Sequence, residues 1–197
     1  MRIFAGLDIP IEIRGAISQY VDEFRRVAPD AKWVKPESYH VTLKFIGEWK
    51  REVREVISAL ETIQSPTIDV AFRNTGFFPN PKSPRVFWVG IETDAMLPRL
   101  AKQVDQACSK LGIESEDRTY SPHLTLARSG SGSPRPKRDG PLAPAMRRLA
   151  ERIAGLPAPD FGTMHATEFF LYESKLSPGG AQYTKLKNFA LTGEQFA

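Results

Sequence analysis

The sequence predicts an α+β fold with two pseudo-symmetric lobes around a central cleft. The first observation is a tetrad that occurs twice, His40-Val41-Thr42-Leu43 and His123-Leu124-Thr125-Leu126. Its β-branched and apolar residues suit a pleated strand, and a period of two puts His and Thr on one face and the apolar pair on the other. The second is that the flanks repeat: Ser38-Tyr39 leads into one tetrad and Tyr120-Ser121-Pro122 into the other. The third is that strand, amphipathic helix, loop and His-bearing strand follow one another twice. Two such units facing each other bring both His/Thr faces to one cleft.

Arg2 to Leu7 reads as an opening strand, and Pro10 suits the first turn of a helix. Ile13, Ile17, Tyr20, Phe24 and Val27 recur at helical steps, so this helix is expected to run until Pro29-Asp30. Lys32-Trp33-Val34 is a short extended piece, and the first His strand runs from His40 to Ile46, stopped by Gly47. Lys50 to Ile63 carries a second amphipathic helix, and alternating Ile68, Val70 and Phe72 mark a strand that is expected to complete the first lobe. Phe77 to Pro84, with three prolines, reads as a loop. Its Lys82, like the neighbouring Arg85, reads as a solvated charge; the alternative for both is a phosphate contact.

The second unit opens with a strand from Arg85 to Ile91 and a helix from Ala95 to Leu111, for which Gly112 is a C-terminal stop. After the second tetrad, residues 129–141 are rich in Ser, Gly, Pro and basic side chains, which predicts a flexible basic linker. A helix around Pro144 to Ala154 follows. One strand from Thr163 to Tyr172, a turn at Ser177-Pro178-Gly179-Gly180 and a strand from Tyr183 to Leu191 close the chain. The whole of 1–197 reads as a single bilobal domain, large enough to bury a full core.

The composition narrows the classes of function. Net charge is +4 and the isoelectric point near 9.2, which favours an anionic partner such as RNA. The single cysteine, Cys108, lies on an amphipathic helix and reads as a packed apolar residue of a reducing compartment. No apolar run has the length of a signal peptide or of a membrane span, so a cytoplasmic protein is expected.

A single tetrad is equally compatible with a buried structural histidine. Two copies, which use two of only three histidines, point to chemistry. Paired imidazoles suit a reaction in which one group takes a proton and another gives one near neutrality. Metal-free phosphodiester cleavage has that need, with threonine hydroxyls and an arginine to hold the non-bridging oxygens. Arg128 follows the second tetrad, but strict alternation points it away from His123 and Thr125 unless the strand bulges or ends near Ala127. Lys44 has the parity of His40 and Thr42, which makes it a possible substrate contact. His165 lacks a threonine two residues on and reads as non-catalytic. Two histidines without carboxylate or cysteine at ligand spacing are too few for a metal site, and no phosphate loop is present, so neither metal nor cofactor is expected.

The paired tetrads resemble those of the 2H phosphoesterase superfamily. The chain is similar from end to end to its RNA 2′,3′-cyclic phosphodiesterases, also called 2′-5′ RNA ligases. Supporting stretches are His40-Val41-Thr42-Leu43-Lys44-Phe45-Ile46-Gly47, Phe77-Phe78-Pro79-Asn80-Pro81, Pro122-His123-Leu124-Thr125-Leu126-Ala127-Arg128 and Leu176-Ser177-Pro178-Gly179-Gly180. The resemblance implies antiparallel sheets flanking the cleft and hydrolysis of an RNA 2′,3′-cyclic phosphate to a 2′-phosphate. It implies His40 as general acid, His123 as general base, Thr42 and Thr125 on the phosphate, and Arg128 assisting. RNA ends or small cyclic nucleotides are the expected partners, and a monomer is the default state. Ser121 stands where such proteins often carry arginine, which leaves substrate preference open. Alternatives are 2′-5′ ligation, action on other cyclic or 2′-5′ linked nucleotides, and a non-catalytic RNA-binding module.

Overall fold

The computed structural model describes residues 1–129, 144–177 and 180–192. The predicted linker at 129–141 lies almost wholly outside the described residues, as do Pro178 and Gly179 of the last turn. Among the described residues the chain forms nine strands and four α-helices. In order these are β1 (Arg2–Asp8), α1 (Ile11–Asp22), β2 (Lys32–Trp33), β3 (His40–Glu48), α2 (Val53–Leu60), β4 (Ile68–Phe78), β5 (Val86–Thr93) and α3 (Met96–Ser109). They continue with β6 (His123–Arg128), α4 (Pro144–Ile153), β7 (Asp160–Ala166), β8 (Glu168–Ser177) and β9 (Gly180–Ala190). No described helix is long and apolar enough to cross a membrane.

The strands make two antiparallel sheets, β3-β1-β8-β9 and β2-β6-β5-β4-β7. Each His strand pairs with the strand that precedes the preceding helix, β3 with β1 across α1 and β6 with β5 across α3. That pairing is the structural form of the sequence duplication. A glycine lies in the strand facing each motif, and in each case the backbone approach requires it. A Cβ on Gly6, opposite Thr42, would stand 2.8 Å from the Val41 carbonyl oxygen. On Gly90, opposite His123, it would stand 2.6 Å from the Arg73 carbonyl oxygen.

The lobes are not sequential halves of the chain, as the periodicity had implied. β2 and β4 leave the first half to join β6 and β5, while β8 returns to pair with β1 and carries β9 on its other edge. The expected strand from Thr163 to Tyr172 is two strands, β7 in one sheet and β8 in the other, with Thr167 between them. Both are apolar alternations, and a period of two carries no sign of a change of sheet. Phe77 and Phe78, expected in a loop, extend β4 opposite Phe87 and Val86; only the proline-bearing residues after them turn. The first helix stops at Asp22, short of Pro29, although Phe24 remains buried in the turns that follow.

The helices and the inner faces of both sheets share one continuous apolar core, to which Ile17, Val41, Phe72, Val104, Leu124 and Phe169 all contribute. Cys108 is a buried free thiol in it. The other face of the first sheet carries a small aromatic cluster of Phe4, Phe170 and Tyr172, with Tyr183 packed against it. Of these residues, Tyr183 lines the cleft.

Candidate active site

β3 and β6 lie side by side across the two sheets, and His40, Thr42, His123, Thr125 and Arg128 line one cavity of about 730 Å3. The two histidines are held in the same way. The Nδ1 of His40 is 2.8 Å from the carbonyl oxygen of Ser38, and the Nδ1 of His123 is 2.8 Å from that of Ser121. A carbonyl oxygen only accepts, so the Nδ1 of each ring carries the proton and donates it. In the neutral rings Nε2 therefore bears the lone pair, free for proton transfer in the cleft. The shared element of the flanks is thus the serine two residues before each histidine. The tyrosines are not equivalent: Tyr39 packs in the core, whereas the Tyr120 hydroxyl donates to the Thr42 carbonyl oxygen at 2.9 Å and ties the approach to the second motif to the backbone of the first.

A β-bulge decides which side chains reach the cleft. In β6, Thr125 pairs with Trp88 and Ala127 with Phe87, so Leu126 is the extra residue. Leu126 and Ala127 are both buried, and parity is reset so that Arg128 emerges on the face of His123 and Thr125. Its Nη2 approaches the Thr125 Oγ1 at 3.4 Å. β3 bulges at the corresponding place: Thr42 pairs with Gly6 and Lys44 with Ala5, with Leu43 extra. The parity expected for Lys44 is therefore corrected. Lys44 contributes to the cavity wall, but it is buried, and its ammonium is committed to Asp105 at 2.5 Å and to the Glu114 carbonyl oxygen at 2.7 Å. Phe45, not Lys44, is the counterpart of Arg128, and it is exposed.

The environments of the two imidazoles differ. His40 sits among Phe4, at 4.7 Å between ring centroids, Tyr183 at 4.9 Å and Tyr172 at 6.5 Å. Burial in that aromatic setting, helped by Arg128 and His123 and opposed by the Ser38 carbonyl and Asp8, brings its pKa down to about 4. His123 meets one ring edge-on, that of Phe78 at 4.9 Å. Burial lowers its pKa as well, and Arg128 adds to the effect. With both pKa values lowered, both rings are neutral near pH 7, and an anion bound between them favours the protonated form.

Of the other expected residues, Arg85 lines the cavity and Lys82 does not. His165 lies away from it, with its Nδ1 2.7 Å from Asp69. Among the described residues no three His, Cys, Asp or Glu side chains converge to hold a metal ion. Sequence reasoning missed the ring cage of His40, drawn from β1, β8 and β9, and the tie made by Tyr120. The tyrosine three residues before His123 was visible, but its partner, a backbone carbonyl 78 residues away, was not.

The duplicated geometry has a counterpart among known proteins. A family model described as LigT like Phosphoesterase matches the chain twice in succession, over residues 7–88 and 89–183, with one tetrad in each match. The chain belongs to the LigT-like phosphoesterase family. It is 32% identical over 190 residues to an RNA 2′,3′-cyclic phosphodiesterase of Archaeoglobus fulgidus, covering 96% of this chain and 99% of that protein. It is also 32% identical over 195 residues to an RNA 2′,3′-cyclic phosphodiesterase of Methanothermobacter thermautotrophicus, covering 97% and 99%. Among solved structures, that of E. coli LigT complexed with 3′-AMP superposes with a TM-score of 0.76 at 27% identity, covering 97% of this chain and 98% of that one. A LigT-like member thus has its two sheets built from interleaved segments, with one matched unit supplying each histidine.

Proposed function

We propose that this chain hydrolyses RNA 2′,3′-cyclic phosphate ends to 2′-phosphates, with His123 as general base and His40 as general acid. The names of its relatives at about 30% identity support the substrate class. The observation that carries the chemistry is the mirrored pair of imidazoles, each fixed through Nδ1 to a serine carbonyl with Nε2 left for the cleft. His123 takes a proton from water as the water oxygen attacks phosphorus. The bond from phosphorus to O3′ breaks, and His40 gives its proton to that oxygen. The products are a 2′-phosphate and a 3′-hydroxyl, and the two rings exchange protonation states in each turnover. Thr42, Thr125 and Arg128 hold the non-bridging oxygens, whose charge grows in the transition state. Lys44 does not contact substrate in this scheme; it holds the wall through Asp105. The protein works as a single bilobal domain in the cytoplasm, without a metal and as a monomer.

The test is end-group analysis of an RNA oligonucleotide carrying a 2′,3′-cyclic phosphate, incubated with a chelator present. Conversion to a 2′-phosphate by wild type and not by His123→Ala is the expected result. Loss of activity with chelator, restored by added metal, overturns the metal-free scheme.

A further inference from the structure

The cleft holds more positive charge than the reacting phosphate needs. Three arginines line it, Arg85, Arg118 and Arg128, and the charge of Lys44 is neutralised by Asp105. Glu116 is the one carboxylate in the lining among the described residues. The balance is two positive charges, against the single negative charge of a 2′,3′-cyclic phosphate. Arg128 is next to Thr125 at the reacting phosphate. Arg85 and Arg118 have no ion-pair partner among the described residues.

Both spare arginines are mounted on fixed backbone. Arg85 closes the β4–β5 hairpin, donating its N–H to the Phe78 carbonyl oxygen at 2.8 Å and accepting at its own carbonyl from the Ser129 N–H at 2.9 Å. This places it beside the end of β6, where Arg128 emerges. Arg118 lies in the connection from α3 to β6, and that connection is pinned on both sides of it. The Glu116 N–H donates to Asp105 at 3.1 Å, and the Tyr120 hydroxyl donates to Thr42. The backbone that carries each side chain is therefore already ordered before an anion arrives, and guanidinium groups suit phosphate oxygens.

We infer that Arg85 and Arg118 form a second phosphate subsite, which takes the phosphodiester next to the reacting end, so that an RNA strand is a better substrate than a mononucleoside cyclic phosphate. This rests on the proposed hydrolysis, and its test is built to fail separately. kcat/KM is measured for a short oligonucleotide and for a mononucleoside, both ending in a 2′,3′-cyclic phosphate, with wild type and with the Arg85→Gln, Arg118→Gln double variant. Binding of the matching 2′-phosphate products is followed by fluorescence anisotropy or calorimetry over a range of salt.

Wild type is expected to prefer the oligonucleotide by about tenfold or more, as one charge-assisted contact provides. Its oligonucleotide affinity is expected to show a salt slope steeper by about 0.7 for each added phosphate contact. The double variant brings the oligonucleotide-to-mononucleoside ratio close to one and removes the extra slope. A wild-type ratio of one, or a ratio unchanged in the double variant, overturns the subsite and leaves the hydrolase reading standing. A binding preference that the double variant loses, with no hydrolysis of either substrate by wild type, sustains the subsite and overturns the hydrolase reading.

Discussion

The strands β3 and β6 are copies in backbone and opposites in electrostatics. Each presents histidine and threonine two residues apart, fixes its imidazole on the carbonyl of a serine two residues upstream, and bulges at the leucine after the threonine. Past the bulge they diverge. β6 continues with a buried alanine and an exposed arginine on the cleft, and β3 with a buried lysine paired to Asp105 and an exposed phenylalanine. Three rings neighbour His40, and one neighbours His123. In the proposed scheme, duplication thus supplies positions for two proton carriers, while the charge for phosphate comes mostly from one copy. A reaction that needs one acid and one base needs the two rings in opposite protonation states, and different environments bias which ring holds the proton.

The largest effect tests this division of labour directly. His40→Ala and His123→Ala are each expected to lower kcat on the cyclic phosphate by about 10²–10⁴, the usual worth of a positioned acid or base. A substrate with a p-nitrophenolate leaving group separates them, since that group departs without a proton. With it His40→Ala recovers most of the loss and His123→Ala recovers none. Recovery by His123→Ala instead would exchange the two roles. Exchange is a physical alternative, because burial lowers the pKa of His40 to about 4 and so disfavours the proton an acid must hold. It is the substrate's negative charge that favours the proton there.

Arg128 sets the size of the next effect. Replacement by glutamine removes a charge-assisted contact and is expected to lower kcat/KM by about 10- to 100-fold. It also alters the pH profile. In wild type both imidazole pKa values are lowered, so the protonated acid is scarce at neutrality, and kcat/KM, which reports the free enzyme, climbs as pH falls from 8 toward 6. Arg128 contributes to both depressions. Removing a positive charge makes each ring easier to protonate, so in Arg128→Gln the rising limb moves to higher pH. An unmoved limb with the rate still reduced would mean that Arg128 acts on the phosphate alone. Phe45→Arg, which gives β3 the residue of β6, should not rescue the loss if charge is needed on the Thr125 side only.

Much of this cleft was legible in the sequence, for particular reasons. The tetrads declared themselves because strand period and side-chain chemistry coincide over four residues, and the serines were present in both flanks. Arg128 was legible only conditionally, since its direction depends on a bulge that Leu126-Ala127 do not announce. The same bulge at Leu43 misdirected the reading of Lys44, which has cleft parity in a regular strand and core-side parity in the bulged one. The exchange of strands between lobes was hidden because β7 and β8 both look like ordinary half-buried strands. The cage of His40 was hidden because Phe4, Tyr172 and Tyr183 come together only after β8 has returned to β1.

The smallest effect falls at the two tyrosines, which look like a repeat and are not. The Tyr120 hydroxyl spans the lobes to the Thr42 carbonyl, so Tyr120→Phe removes a real bond; a loss of about 1 kcal/mol is expected in denaturant unfolding. If that bond also holds the two motifs at their working separation, kcat falls several-fold while KM stays unchanged. A change in stability alone would make the bond purely structural. Tyr39 is buried, and its hydroxyl has no hydrogen-bond partner among the described residues, so burial pushes its pKa up to about 12. Tyr39→Phe removes an unsatisfied buried group and keeps the ring, so stability is expected to stay level or rise by about 1 kcal/mol, with kcat and KM unaltered. Opposite signs from the same chemical change, in two tyrosines that flank the same kind of motif, would show that only the second copy carries the tie between the lobes.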